Sequence, residues 1–155
     1  MLAYVFWHRP ADRAEPAVYQ TRLAAFHDRL RAEPPDGFRE SAAFRVHVPW
    51  IGDGYEDWYL VDDWHAVGVL NAAAVDVAHR ADHDAVAGHT GAGAGGIFLL
   101  REGELAVGDS GAAEWSSTLP ARPAGPHAVW QRQMVLGPAP EFCVMTPGTE
   151  RPRVA

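Results

Sequence analysis

The sequence predicts an α+β fold in a single packed domain, and three patterns lead to that prediction. The first is the aromatic and apolar run Leu2 to His8, which is typical of a strand. The second is a helical repeat of apolar residues between Tyr19 and Leu30. The third is Tyr55 to Val75, where an aromatic strand passes directly into an apolar helical face. Because strands and helices alternate, we expect a sheet with helices packed on it.

Composition restricts the class of protein. The 155 residues have a formal charge of −7, which argues against a nucleic-acid surface. No run reaches the ~18 apolar residues of a membrane span, and MLAYVFWHRP lacks the basic start of a signal peptide. We therefore expect a soluble cytoplasmic protein. The chain contains no lysine, which excludes Schiff-base chemistry, and its single cysteine, Cys143, excludes an intramolecular disulfide.

The first strand and the first helix are predicted from alternation and spacing. Both faces of Leu2 to His8 are apolar, which indicates a central strand covered on both sides. Pro16 suits the first position of a helix, since its missing N–H has no partner there. The helix is expected to end before Pro34, Pro35 and Gly37.

A predicted hairpin follows. In the strand Phe38 to Trp50, the apolar residues Phe44, Val46 and Val48 alternate with Arg45 and His47, and residues 51–54 form the turn.

The second helix is expected to begin after Asp62 and Asp63, whose carboxylates can cap it. From Asp76 we expect it to continue or restart through about Gly88. Residues 91–96, GAGAGG, are interpreted as a flexible connector to a fourth strand that begins at Ile97.

The predicted order β-α-β-β-α-β is the ferredoxin-like pattern, and it occupies residues 1–107. Residues 108–146 are predicted to be a strand-rich extension of the same domain, with strands at 114–119, 128–136 and 141–145. Residues 147–155 are expected to form a flexible tail.

The strand, helix and hairpin followed by DWYLVDDWHAVGVLN (residues 57–71) and a further strand resemble the dimeric α+β barrel superfamily. That group includes antibiotic-biosynthesis-type monooxygenases, EthD-like proteins and haem-binding relatives of chlorite dismutase. In those proteins two sheets close into a barrel, with a cleft at the helix-free face of each sheet. The resemblance implies a homodimer, and it implies a small-molecule-binding protein or a cofactor-free, monooxygenase-like enzyme.

A cleft of this kind could use polar residues of the sheet. Arg45 and His47 share one face of the second strand, and Tyr59 could lie across from them. His8 and Arg132 lie on other strands. If the helices cover the Phe44 face, these residues point to the open face and could bind a small aromatic or acidic ligand, with His47 as a catalytic base. The alternative is an oligomer interface or ordinary polar groups of a half-exposed sheet.

A metal site is a separate possibility. Asp76, His79 and His83 are spaced i, i+3 and i+7, so on one helix they would share a face and form a two-histidine, one-carboxylate set. The alternative is a solvated helix end.

Three functions are therefore open: a small-molecule-binding protein or enzyme, a metal-binding protein, and a non-catalytic oligomeric scaffold. We expect no haem or other cofactor, since none of the eight histidines lies in a recognisable haem motif.

Overall fold

The computed structural model describes residues 1–155 and is a mixed α+β fold. The strands are β1 (Leu2–Pro10), β2 (Phe38–Val48), β3 (Gly52–Val61), β4 (Thr90–Gly103), β5 (Ser110–Ser116), β6 (Ala128–Leu136) and β7 (Phe142–Pro147). The helices are α1 (Pro16–Ala32), α2 (Trp64–Ala73) and α3 (Arg80–Ala87), and a short 3-10 turn spans Val107–Asp109. None of the three helices combines the length and apolar character needed to cross a bilayer.

All seven strands belong to one antiparallel sheet with the order β2-β3-β1-β4-β6-β7-β5. The sheet curls, so that Val107, Trp115 and Met145 pack over the face of β1, β2 and β3 that carries no helix. Gly108 N donates to Glu40 Oε1 at 2.8 Å, which ties the turn after β4 to the start of β2. The chain therefore covers both faces of its first strands by itself.

The helices cover the face of the sheet opposite to Phe44, so the condition stated for a site on the open face is not met. Phe44 and Val48 lie in the core enclosed by the curled sheet. Ala43, Tyr55 and Tyr59 instead pack beneath α1, α2 and α3. Both faces of β2 are buried at their centre, so the apolar alternation of this strand does not identify the helix side.

The second helix is interrupted rather than continuous. α2 begins at the predicted cap, where the Asp63 side chain accepts a hydrogen bond from Ala66 N at 2.9 Å, and it ends at Ala73. Asp76 then accepts from the backbone N–H groups of Ala78 and His79, a local arrangement that competes with the helix. As a result Asp76 lies before α3 and not within it.

The glycine-rich stretch 91–96 is part of β4 and not a connector. Gly93 and Gly95 pair with β1 in regular register. A Cβ at Gly93 would lie only 2.5 Å from the Phe6 ring, and one at Gly95 would lie 3.2 Å from the Tyr4 ring. Glycine is therefore used here because aromatic rings of β1 lie directly over the neighbouring strand.

Residues 151–155, predicted to lie in a flexible tail, pack against the outer edge of β2. Val154 N donates to Ala43 O at 2.7 Å, and Arg45 N donates to Pro152 O at 2.9 Å. Phe44 and Arg153 form an antiparallel bridge. The edge strand supplies unpaired backbone groups, which gives this proline-containing segment a place to bind.

Candidate functional site

A cavity of about 860 Å³ lies between the helix-bearing face of the sheet and the three helices. Leu23, Phe26 and Val86 from α1 and α3 form part of its apolar wall, and Tyr4 and Phe6 form part of its floor. Against these apolar walls stand a few polar groups on the sheet, of which Asp57 and His8 are the most deeply buried. This combination of apolar lining and few polar groups is typical of a small-molecule site.

Asp57 is the acidic centre of this cavity. Its Oδ2 lies 2.9 Å from His8 Nε2 and accepts a hydrogen bond from the Tyr59 hydroxyl at 3.0 Å. His27 Nε2 is 3.7 Å away. The other carboxylate oxygen, Oδ1, is buried and has no hydrogen-bond partner. Oδ2 is thus held by His8 and Tyr59, whereas Oδ1 is enclosed by the protein without a hydrogen-bond partner.

The charge state of Asp57 follows from these contacts. Burial alone would raise the pKa of this carboxyl, but His8, which lies within hydrogen-bond distance, and His27, which is 3.7 Å away, favour the carboxylate and hold the pKa well below its ordinary value. Asp57 is therefore a buried carboxylate at neutral pH.

His8 continues the network on its other side. Its Nδ1 lies 2.6 Å from the Tyr19 hydroxyl, which in turn lies 2.9 Å from Thr90 Oγ1. Burial raises the pKa of Tyr19 to about 12, so the phenol keeps its proton. Thr90 Oγ1 also donates to Val86 O at 3.2 Å. The chain Asp57–His8–Tyr19–Thr90 can hold either a neutral or a protonated imidazole without leaving a donor unpaired.

His27 supports the site from the side. Its ring stacks on Tyr59 with 5.1 Å between ring centroids and an angle of 9° between planes. Its Nδ1 lies 2.8 Å from Ser41 Oγ. These contacts fix the Tyr59 phenol, and with it one of the two groups that hold Asp57 Oδ2.

The structure brings together two of the five residues predicted to bind a ligand. Tyr59 and His8 both contact Asp57. His47 is instead 75% exposed and pairs with Asp53, and Arg45 is exposed near the outer end of β2. Arg132 lies on β6, where it pairs with Glu141 at 2.9 Å.

The three predicted metal-ligating residues are not assembled. His79 Nδ1 lies 3.1 Å from Asp76 Oδ1, while its Nε2 lies 3.0 Å from Glu33 O, so both ring nitrogens have partners. His83 pairs with Asp84 and packs against the Phe26 ring. No group of three histidine, cysteine, aspartate or glutamate side chains is arranged so that it could hold a metal ion.

Sequence reasoning missed Asp57, Tyr19 and Thr90. Tyr19 was assigned to the apolar face of α1, which is where it lies, but its hydroxyl has a polar role that spacing cannot reveal. Asp57 stood beside Glu56 within an otherwise aromatic strand. Two adjacent acidic residues between Tyr55 and Trp58 were the signal that could have indicated buried carboxylates, one on each face.

No protein-family model matches the chain, and no curated protein is similar to it. The chain is similar in structure to a dimeric protein of unknown function with a ferredoxin-like fold from Bacteroides fragilis NCTC 9343. The two share 13% sequence identity, the alignment covers 62% of this chain and 92% of that chain, and the TM-score is 0.47. The dimeric state belongs to the description of that protein.

Proposed function

We propose that the protein binds a small, mainly apolar molecule in the cavity beneath the helices, and that Asp57 accepts a hydrogen bond from it. The observation that carries this proposal is the unpartnered Oδ1 of a carboxylate that lines the cavity. A buried acceptor without a partner is costly. A ligand with one O–H or N–H donor would remove that cost.

The side chains that line the cavity indicate the class of ligand. Tyr4, Phe6 and Phe26 supply aromatic surface, and the half-exposed Trp64 stands at the edge of the cavity. A phenol, a naphthol or a similar aromatic molecule offers an apolar body and a single donor, and so fits this lining.

The chemistry proposed is general-base catalysis. His8 and Asp57 form a buried imidazole–carboxylate pair, in which the carboxylate would stabilise a protonated imidazole. Both ring nitrogens of His8 have partners, so a proton from a ligand would reach His8 through the hydroxyls of Thr90, which lines the cavity, and Tyr19. Cofactor-free, monooxygenase-like activity, implied by the resemblance of the sequence, is the narrower form of this proposal. It requires that a bound ligand cause oxygen consumption, which an oxygen electrode measures directly.

Binding is tested with 4-nitrophenol, 1-naphthol and aniline by calorimetry and by melting temperature. We expect saturable binding of all three compounds, each of which carries an O–H or N–H donor, by the wild-type protein and loss of it in Gly68→Phe, since Gly68 lines the cavity and faces open space. Asp57→Asn should weaken the binding, and the control Asp53→Asn, at an exposed pair with His47, should not. Equal binding by Gly68→Phe and wild type would refute the cavity as the site.

We also propose that residues 1–107 form a ferredoxin-like unit. The support is the strand order β2-β3-β1-β4 together with the helices between β1 and β2 and between β3 and β4. The face that a second sheet covers in the barrel superfamily is covered here by β5, β6 and β7 of the same chain.

A homodimer is still predicted, but the contact between the subunits is now expected at a different surface. The curled sheet already encloses the face that a partner was expected to cover. The exposed apolar side chains Met134, Leu136 and Trp64 lie at the cavity instead, and they support a dimer at this mouth. Native mass spectrometry of the wild type and of Leu136→Glu tests this dimer, because a dimer formed at the mouth of the cavity would dissociate in the variant.

The same spectrum tests the two other functions. A metal-binding protein would retain the mass of a metal ion, and a non-catalytic scaffold would retain no extra mass.

A further inference from the structure

Glu56 is a second buried carboxylate, on the opposite face of β3 from Asp57, and it is 1% exposed. Its Oε2 accepts hydrogen bonds from Trp7 Nε1 at 2.8 Å and from Trp115 Nε1 at 3.0 Å. Its Oε1 accepts from Trp58 Nε1 at 2.6 Å. Three indole donors orient the carboxylate but cannot neutralise its charge, so the site requires a cation.

The cation is Arg151, whose guanidinium is held by three different groups. One nitrogen donates to Glu56 Oε1, and another donates to Ser110 Oγ at 2.8 Å. The planar group lies 3.7 Å above the centre of the Phe44 ring. A carboxylate, a hydroxyl and an aromatic face together recognise a guanidinium and would fit an ammonium group poorly, since the planar group can lie flat on the ring while two separate nitrogens in its plane donate to Glu56 and Ser110.

Arg151 reaches this pocket on the 148–155 segment, which binds β2 by its backbone. β2 is the edge strand of the sheet, and its outward groups pair with the segment through Val154 N to Ala43 O, Ala43 N to Ala155 O and Arg45 N to Pro152 O. Backbone pairing along a sheet edge with one side chain in a pocket is the β-augmentation mode of peptide recognition.

We propose that the edge of β2 and the Glu56 pocket form a recognition site for an extended peptide that carries an arginine, and that the 148–155 segment occupies this site in cis. The segment contains a second arginine, Arg153, which is exposed. Arg151 is largely buried and Arg153 is exposed, although both lie in the same eight-residue segment. Substitution of Arg153 is therefore a matched control for substitution of Arg151. The Glu56 pocket takes the side chain at position 151, whereas the side chain at position 153 lies outside it and donates only to the backbone oxygens of Ala155, at 2.8 Å, and Gly108, at 3.4 Å.

The test uses the full chain with Arg151→Ala, which empties the pocket, and Arg153→Ala as the control. We expect the melting temperature to fall by about 10 °C in the first variant and to change little in the second. Millimolar ethylguanidinium should recover part of the loss in Arg151→Ala, and ethylammonium should not. The 148–155 segment of this variant keeps its backbone bonds to β2 but lacks the arginine, so the synthetic peptide GTERPRVA should displace it and change the tryptophan emission. GTERPAVA should be equivalent, and GTEAPRVA should be at least about thirtyfold weaker.

Equal binding of GTERPRVA and GTEAPRVA to folded Arg151→Ala, or binding of neither, would overturn the proposal. If that variant does not fold, hydrogen exchange on the wild type decides. The amides of Ala43, Arg45 and Val154 should exchange at least about tenfold faster than that of Val5 in the central strand, because the segment detaches separately. Exchange of all four at one rate would show that the segment is an inseparable part of the sheet.

Discussion

His8 and Asp57 contact each other diagonally across β1 and β3, with 2.9 Å between Nε2 and Oδ2. In the register of the two strands Asp57 lies opposite Phe6, and His8 lies opposite Tyr55. Diagonal neighbours on one face of a sheet are within reach of long side chains. A shift of one residue in the pairing of β1 and β3 would move His8 or Asp57 to the opposite face of the sheet. The register of these two strands therefore determines whether the pair can form.

Asp57→Asn should lower stability in a pH-dependent way. The pKa of Asp57 lies below its ordinary value of 3.8 despite burial, because His8 and His27 favour the carboxylate. The stabilisation is therefore present above that value and is lost as the pH falls below it. We expect the variant to lose about 2 kcal/mol at pH 7, and the difference from wild type to shrink below about pH 4. Urea unfolding followed by circular dichroism measures both quantities.

The control is Asp53→Asn, which removes an exposed carboxylate paired with His47. A surface pair of this kind contributes about 0–1 kcal/mol. A deficit in Asp57→Asn that stays constant from pH 7 to pH 3, or one matched by Asp53→Asn, would contradict the assignment of a buried ion pair.

The local elements of the fold could be predicted because their signals are local. The apolar repeat from Tyr19 to Leu30 and the proline at position 16 specify α1, and the structure places it at Pro16–Ala32. The aromatic run from Leu2 becomes the central strand β1. The stretch 91–96 is not recognisable as a strand from its glycines because the reason for them is non-local: at Gly93 and Gly95, the rings that exclude a side chain belong to Phe6 and Tyr4, about 90 positions earlier in the chain.

The candidate site was predictable only in part for a related reason. Tyr59 and His8 were selected as polar groups on strands, and both lie at the cavity. The same rule selects His47, but this residue lies near the end of β2 and its side chain is 75% exposed. Alternation along a strand gives the face of each side chain. It does not give the depth of that side chain beneath the covering layer, which depends on where the helices end.

Tyr19→Phe should make the protein less sensitive to alkaline pH. Burial raises the pKa of Tyr19 to about 12 from 10.0, so the unfolded chain releases this proton at a lower pH than the folded protein does. Stability due to this group is therefore complete below pH 10 and is lost between about pH 10 and 12. At pH 7 the variant should lose about 1 kcal/mol with the hydrogen bond to His8.

Urea midpoints at pH 7, 10 and 11 test this prediction. The wild type should lose stability more steeply than Tyr19→Phe above pH 10. Identical slopes for the two proteins would show that the Tyr19 phenol is not protected by burial, and would remove it from the network between His8 and Thr90.

Cys143 should be inert in the folded protein. Its side chain is fully buried, and burial raises the pKa of the thiol well above its ordinary value. Because the thiolate is the reactive species, Ellman's reagent should react only at the rate of unfolding in native buffer and should modify one thiol per chain in concentrated urea. Fast reaction without denaturant would mean that β7 opens locally and exposes the core enclosed by the curled sheet.

Gly93→Val should impair ligand binding more than its position in a strand suggests. A Cβ at this position would lie 2.5 Å from Phe6 Cζ, and both residues line the cavity, so the ring must move. We expect a loss of about 2 kcal/mol in the free energy of unfolding from overpacking, although valine favours strands.

The control is Gly68→Ala in α2, where the added methyl meets nothing within 4 Å and should stabilise the helix by about 0.5–1 kcal/mol. Calorimetry with 1-naphthol then shows whether the displaced Phe6 ring occupies the space of the ligand. Weakened binding by Gly93→Val and retained binding by Gly68→Ala would place the aromatic body of the ligand next to Gly93 of β4. Unchanged binding by both variants would place it elsewhere in the cavity.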